Sequence, residues 1–152
     1  MITVSIDTSK LKNILEKRMM DVAHDEKAKL EIHNKLAEMC EPYVPMETGT
    51  LAQTTDITSE GVTYKKPYAH YQYEGQVYGP NIPIIEDGVI VGWFSPPRQK
   101  KHPTGASINY SKEVHPLASA HWDEAMYRDK KDEFDNAVQD ILVRRYNELN
   151  GK

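Results

Sequence analysis

Hydrophobic positions in the first third of the chain recur at the spacing of an amphipathic helix. They are Leu11, Ile14, Leu15 and Val22, with Arg18 as a polar exception, followed by Ile32, Leu36, Met39 and Cys40. Because residues 9–41 contain no Pro or Gly, the pattern predicts either one helix from about Ser9 to Glu41 or two helices that break near residues 21–25. Pro42 and Pro45 end the helical pattern.

Shorter stretches rich in β-branched and aromatic residues predict strands. Residues 2–6 alternate between apolar and polar side chains and suit the edge of a sheet. Leu51–Thr58 and Val62–Lys66 flank a hairpin turn, in which we expect Gly61 to supply a positive φ. Gly88–Phe94 is the most apolar strand candidate and suits a central strand.

Proline and glycine are concentrated between Gly75 and Pro116, which hold six of the nine prolines and five of the eight glycines. This composition favours loops and short strands over helix. Within the stretch, residues 95–113 have no apolar periodicity. We therefore expect a long, mobile and locally basic loop there.

The last part of the chain is helical in pattern, and Pro116 suits a first helical position. Its apolar positions are Ala118, Trp122, Ala125 and Met126 on one face and Phe134, Val138, Ile141, Leu142 and Leu149 on another. The polar stretch between them, residues 127–133, predicts a bend or a solvent crossing. The whole order predicts a single α+β domain over residues 1–152, with a small antiparallel sheet flanked by long N- and C-terminal helices.

Composition adds that the supply of core residues is thin. Leu, Ile, Val and Phe make up 31 of 152 residues, while the chain has nine tyrosines. A thin core predicts that part of the apolar surface is buried against a partner. No apolar run approaches the roughly eighteen residues of a membrane helix, and the first residues lack the basic start of a signal peptide. We therefore expect the chain to be intracellular when it is made.

The charge balance points away from nucleic-acid binding, and the candidate chemistry points away from an enzyme. A net charge of −4 argues against nucleic-acid binding through a broad basic face. No cofactor or metal motif is present, and the single Cys40 is expected to be a small buried hydrophobe. One alternative remains a small hydrolase or metal enzyme that uses His115, His121 and Asp123.

Two clusters suggest contacts with other molecules. Tyr64, Tyr68, Tyr71, Tyr73 and Tyr78 fall within fifteen residues, and tyrosine suits both protein interfaces and a core short of Leu and Phe. A basic cluster suits a solvated loop tip or, as a second alternative, a weak nucleic-acid-binding module. The predicted interaction residues are Tyr68, Tyr71, Tyr73, Trp93, Arg98, Lys100 and Lys101.

Three segments resemble a known family. Residues 42–51 (Pro-Tyr-Val-Pro-Met-Glu-Thr-Gly-Thr-Leu) are similar to the "Pro-x-Asp-Thr-Gly-x-Leu" signature of small phage head–tail connector proteins, although Glu47 stands where that family usually has Asp. Residues 68–75 (Tyr-Ala-His-Tyr-Gln-Tyr-Glu-Gly) resemble its "Tyr-Ala-x-Tyr-x-Glu-x-Gly" element. Residues 115–126, beginning His-Pro-Leu-Ala, resemble the closing helix of the minor capsid proteins of phages that infect Gram-positive bacteria.

The resemblance implies a non-enzymatic protein of the virion neck, which completes the tail and joins it to the head. Such proteins form rings, most often six-fold, around the DNA channel, and contact other connector, head-closure or tail-terminator proteins. DNA passes through such a lumen without specific binding, which agrees with the mildly acidic charge. In the signature, Pro45 ends the helix and Gly49 permits a left-handed turn into a strand that begins at Leu51. The structural motif residues are Pro45, Thr48, Gly49, Leu51 and Trp122.

Overall fold

The computed structural model describes residues 1–6, 22–46 and 50–151, and the fold is α+β, as the sequence predicts. In chain order the elements are β1 (Ile2–Val4), α1 (Glu26–Cys40), α2 (Thr50–Gln53), β2 (Thr55–Thr58), β3 (Gly61–Tyr64), α3 (Ala69–Glu74), β4 (Gln76–Gly79), β5 (Ile82–Glu86), β6 (Val89–Phe94), β7 (His102–Ser107) and α4 (Trp122–Leu149). All strand pairs are antiparallel. No helix in these ranges is long and apolar enough to cross a bilayer.

Helix α1 starts at a side-chain cap. A 3₁₀ turn at Val22–His24 precedes Asp25, whose backbone is extended and whose carboxylate accepts a hydrogen bond from the Ala28 amide at 3.1 Å. The alternative of one uninterrupted helix through Asp25 is therefore wrong. A new helix begins after Asp25, whose carboxylate accepts a hydrogen bond from one of the backbone N–H groups left free in its first turn. The break predicted near residues 21–25 is confirmed on its C-terminal side. The apolar positions Leu11, Ile14 and Leu15 and Arg18 lie outside the described residues.

The first sheet has three strands in the order β1-β3-β2. Strand β1 lies at its edge as predicted, and residues 59–60 form the expected hairpin turn. Gly61 is nearly extended (φ 159°), and the reason for glycine is space, because a Cβ would lie 2.7 Å from Thr3 Cγ2 and 2.8 Å from the Val4 oxygen. The prediction that a strand begins at Leu51 is wrong, since Leu51 lies in α2.

The core lies where α1 packs against α4 and against strands β2 and β3. Its largest fully buried side chains are Trp122, Tyr64, Phe134, Ile32, Met126, Leu142, Val44, Val62, Val138 and Cys40. These include residues of both helical faces predicted from the sequence. Periodic burial of one face per helix stabilises the fold mainly through apolar area removed from water.

Helix α4 differs from its prediction at both ends. It starts at Trp122 and not at Pro116, because His121 has a left-handed backbone (φ 46°, ψ 52°) that helical hydrogen bonding cannot cross. Lys130 departs from helical geometry (φ −129°, ψ 29°), which confirms a bend within residues 127–133. Leu149, the last residue of α4, is 53% exposed, contrary to its predicted place on an apolar face.

The region predicted as a long loop, residues 95–113, contains strand β7, which pairs with β4. Every residue of β7 is exposed, so the strand has no apolar alternation for a sequence pattern to detect. Thr104 Oγ1 also donates to the Val77 oxygen across the pair at 2.8 Å. The prediction of a central strand at Gly88–Phe94 is wrong as well, because β6 pairs with β5 alone among the described strands.

Candidate interaction surfaces

The two-stranded hairpin formed by β5, its turn and β6, residues 82–94, is here named the arm. Its large apolar side chains are between 44% and 63% exposed: Ile82, Ile84, Ile85, Val89, Ile90, Val91, Trp93 and Phe94. Seven of these belong to the chain's 31 Leu, Ile, Val and Phe residues. A contiguous exposed apolar surface of this kind marks an interaction site in a folded protein.

The strand register shows that both faces of the arm are apolar. Cross-strand partners share a face, and a bulge between Ile84 and Ile85 shifts the register of β6 by one residue. One face carries Ile82, Ile84, Val89 and Phe94, and the other carries Pro83, Ile85, Ile90 and Trp93. A strand that is buried on both faces has the same near-continuous apolar run. This is why the sequence pattern indicated a central strand.

The tip of the arm is a tight acidic turn. Asp87 and Gly88 both have positive φ, 48° and 80°, the combination that a two-residue hairpin turn requires. Glu86 and Asp87 are exposed and form no ion pair with any residue that the structure describes. An Asp-Gly pair between two apolar runs is a sequence signal for such a hairpin, but the apolar pattern predicted only a single strand at Gly88–Phe94. Of the arm's apolar residues only Trp93 was predicted to interact.

The basic cluster lies at the opposite end of the arm, in the loop between β6 and β7. Lys101 Nζ donates to Asn81 Oδ1 at 3.3 Å, and since Asn81 directly precedes β5, this bond holds the loop at the base of the arm. Arg98 has a left-handed backbone (φ 62°). Arg98 and Lys100 are exposed and have no ion-pair partner within the described ranges. Four predicted interaction residues therefore lie at or next to the arm.

The tyrosine cluster divides between core and surface. Tyr64 is buried, with its ring centroid 5.0 Å from that of Trp122 in a T-shaped contact. Tyr73 packs edge-on against the same indole at 4.9 Å, and its hydroxyl donates to Asp123 Oδ1 at 2.8 Å. Burial and the adjacent carboxylate raise the pKa of Tyr73. These two rings therefore serve the core.

The other tyrosines lie nearer the surface. Tyr71 in α3 and Tyr78 in β4 are half-buried, with ring centroids 4.6 Å apart. Tyr68, just before α3, is 39% exposed. Tyr68 and Tyr71 thus stay candidates for contact with another molecule, whereas the contacts of Tyr73 are within its own chain.

Hydrogen bonds join the three sequence segments of the family resemblance. His121 N donates to the Tyr73 oxygen at 2.9 Å, which joins the second segment to the third. His115 Nδ1 lies 2.8 Å from the Val44 oxygen, which joins the third segment to the first. Pro45, Leu51 and Trp122 are all buried, whereas Glu47, Thr48 and Gly49 lie outside the described residues. The described motif residues therefore build a structural joint, which the sequence did not show.

The residues of the hydrolase alternative have structural partners. Asp123 accepts its hydrogen bond from Tyr73, and His121 Nδ1 lies 4.0 Å from Glu124 Oε1. Among the described residues, no group of three or more His, Cys, Asp or Glu side chains is placed to hold a metal ion. Cys40 is fully buried, as predicted, and burial raises the pKa of its thiol to about 12, so the reactive thiolate is scarce at neutral pH.

Comparison with known proteins connects this geometry to a family. The family model for minor capsid proteins matches residues 2–141, which span the core, the joint and the arm. Searches of curated proteins and of solved structures found no match. The family resemblance carried by the three segments is confirmed. The chain belongs to the minor capsid protein family and is a structural component of the phage virion.

Proposed function

We propose that this minor capsid protein works in the phage neck as a single connector domain that joins head and tail. It assembles as a ring around the DNA channel, which the family resemblance gives as six-fold, and it has no enzymatic activity. The observation that carries the proposal is the arm, an apolar surface that the described part of the chain leaves exposed. A subunit of this kind is completed by its neighbours.

Charge supports a channel role. A lumen that passes DNA must not retain it, and phosphate retention grows with the number of cationic contacts. The chain carries a net charge of −4. Several of its cations, such as Lys27, Arg144 and Arg145, are already paired with carboxylates of the same chain. The basic side chains of Arg98 and Lys100 are too few for strong, salt-resistant binding to DNA.

The expected neighbours are other virion proteins of the neck: connector, head-closure and tail-terminator proteins. The chain is made in the host cytoplasm and ends in the particle. This position requires at least two kinds of contact, one between copies in the ring and one with the layers above and below it.

Deleting the gene from the phage tests the proposal. We expect filled heads and separate tails in place of joined particles, seen by electron microscopy, and restoration by the gene supplied in trans. Quantitative mass spectrometry of purified wild-type particles should give a small, fixed copy number that matches one ring. Absence of the protein from purified particles, or normal joined particles without it, would contradict the proposal.

A further inference from the structure

Both faces of the arm are left exposed by the residues that the structure describes. In the described structure β5 and β6 form their own two-stranded sheet, separate from the other two sheets. Apolar side chains project to either side of it, with Ile84 and Phe94 on one face and Ile85 and Trp93 on the other. A surface contact on one side would leave the other face in water. The arm therefore requires a partner that it enters or that wraps it.

The charges at the two ends of the arm are complementary. Glu86 and Asp87 give the tip of the arm a negative charge. Arg98 and Lys100 give the loop at the opposite end a positive charge, and no ion pair joins the two ends. The strands separate tip from base by about 16 Å, since a strand rises about 3.3 Å per residue. Because no ion pair joins the two charge sets within one copy, each copy carries both halves of a contact that a second copy can complete.

We infer that the arm is buried against a second copy of this chain, with its acidic tip set against the basic loop of that copy. This inference deepens the proposed ring and rests on the proposed function. It identifies the partner of the arm as a neighbouring subunit, and not as a different virion protein.

The size of the arm suits this role. Eight large apolar side chains that are about half exposed offer on the order of several hundred Å² of apolar surface. A standard protein interface buries about 800 Å² on each partner. The arm can thus supply the larger part of one such interface, and opposite charges at its ends fix the direction of docking.

The contact is directional. The tip of one copy meets the base of the next. Two arms that dock reciprocally give a closed dimer, whereas arms that dock in one direction leave the second copy with a free tip. Contacts between unlike patches repeat from copy to copy and close into a ring when the rotation fits. This is the type of contact that a cyclic neck protein needs.

Two charge-reversed variants of the full chain test the inference. The first combines Glu86→Lys with Asp87→Asn, and the second combines Arg98→Asp with Lys100→Glu. Asn and Asp are chosen because residues 87 and 98 have left-handed backbones, which these side chains tolerate. Each variant alone places like charges at the contact, so we expect its self-association to weaken by more than about tenfold.

An equimolar mixture of the two variants is the decisive measurement. The positively charged tip of the first variant can then dock on the negatively charged loop of the second. The negatively charged tip of the second variant can dock on the positively charged loop of the first. Native mass spectrometry should show assemblies that contain both variants in equal numbers. The control, Asp132→Lys with Glu133→Asn on the exposed side of α4, has the same charge change as the first variant and should associate like the wild type.

Several results would overturn the inference. They are a wild type that stays monomeric at about 0.1 mM, charge variants that associate normally, and a mixture that stays dissociated. Failure of the proposed function has a different signature, which is absence of the protein from purified virions. A protein that is present in virions but monomeric in solution would show that the arm docks on a different virion protein.

Discussion

The joint around Trp122 and the arm each contain a tryptophan, and the two indoles lie in opposite environments. Trp122 is fully buried between two tyrosine rings, whereas Trp93 in the arm is 62% exposed. The joint gains its stability within one chain, since backbone hydrogen bonds connect its three segments. The arm contributes apolar surface that the described residues do not cover. We therefore expect folding to depend on Trp122 and the proposed assembly to depend on Trp93.

The largest expected difference in the free energy of unfolding comes from replacing each of the two tryptophans by alanine. Trp122→Ala leaves a large cavity and should lower the free energy of unfolding by about 3–5 kcal/mol. Trp93→Ala should change it by no more than about 0.5 kcal/mol in the monomer, because an exposed side chain has little packing to lose. Urea denaturation of both variants gives the comparison. Equal losses would show that the arm is part of the folded core.

Two glycines repeat the comparison at the backbone level. Gly75 has φ 72°, and a Cβ there would lie 2.7 Å from the Ala120 Cβ, so Gly75→Ala combines strain with a clash. We expect a loss of about 2–3 kcal/mol. Gly88 in the arm has φ 80° with nothing within 4 Å, so Gly88→Ala should cost only the strain, about 1 kcal/mol. Thermal unfolding of the two variants measures the difference.

The ion pair that anchors α4 to α1 has a smaller effect, which depends on pH. Arg145 Nε donates to Asp25 Oδ2 at 2.7 Å, and this hydrogen bond lowers the pKa of Asp25 below its ordinary value of 3.8. A lowered folded-state pKa stabilises the fold above the unfolded pKa, and this contribution is lost as the pH falls through the folded one. Asp25→Asn keeps the helix cap, so we expect a loss of about 1 kcal/mol at pH 7.

The loss caused by Asp25→Asn should shrink below about pH 4. Asp132→Asn, on the exposed side of α4, is the matched control and should change stability little at any pH. A loss that stays constant down to pH 2 would contradict the role of the ion pair.

The smallest expected effect concerns His33 in α1. Its side chain is buried, its Nδ1 has no hydrogen-bond partner within the described ranges, and burial lowers its pKa below 6.5. As the pH falls, His33 is therefore protonated in the unfolded chain before it is protonated in the folded one. The free energy of unfolding has its full value above about pH 6.5 and decreases as the pH drops through the folded-state pKa. His33→Gln should flatten this part of the pH profile. An unchanged profile would assign the pH dependence to other groups.

The helical faces of the core could be predicted because burial on one side leaves a period in the sequence. Ile32, Leu36 and Val138 follow this period and are buried. Strand β7 could not be predicted, since both of its faces are exposed and its residues follow no period. The break at Asp25 was visible in the sequence as a polar patch.

The arm shows a different limit of sequence patterns. Its strands Ile82–Glu86 and Val89–Phe94 have the apolar run of a buried strand, and a sequence shows how much burial a segment requires without showing which molecule provides it. The basic residues Arg98 and Lys100 were identified from composition, but their place at the arm's base depends on the Lys101–Asn81 hydrogen bond. The hydrogen bond of Tyr73 to Asp123 could not be predicted, because the two residues lie fifty positions apart in sequence.

The bulge between Ile84 and Ile85 has a consequence for the life of the free subunit. A flat apolar ribbon with two open edges is a template for stacking into fibrils at the concentrations that an infected cell reaches. A bulge twists the strand and interrupts the regular ladder that such stacking needs. One extra residue in β6 thus makes the arm a poorer template for fibril stacking.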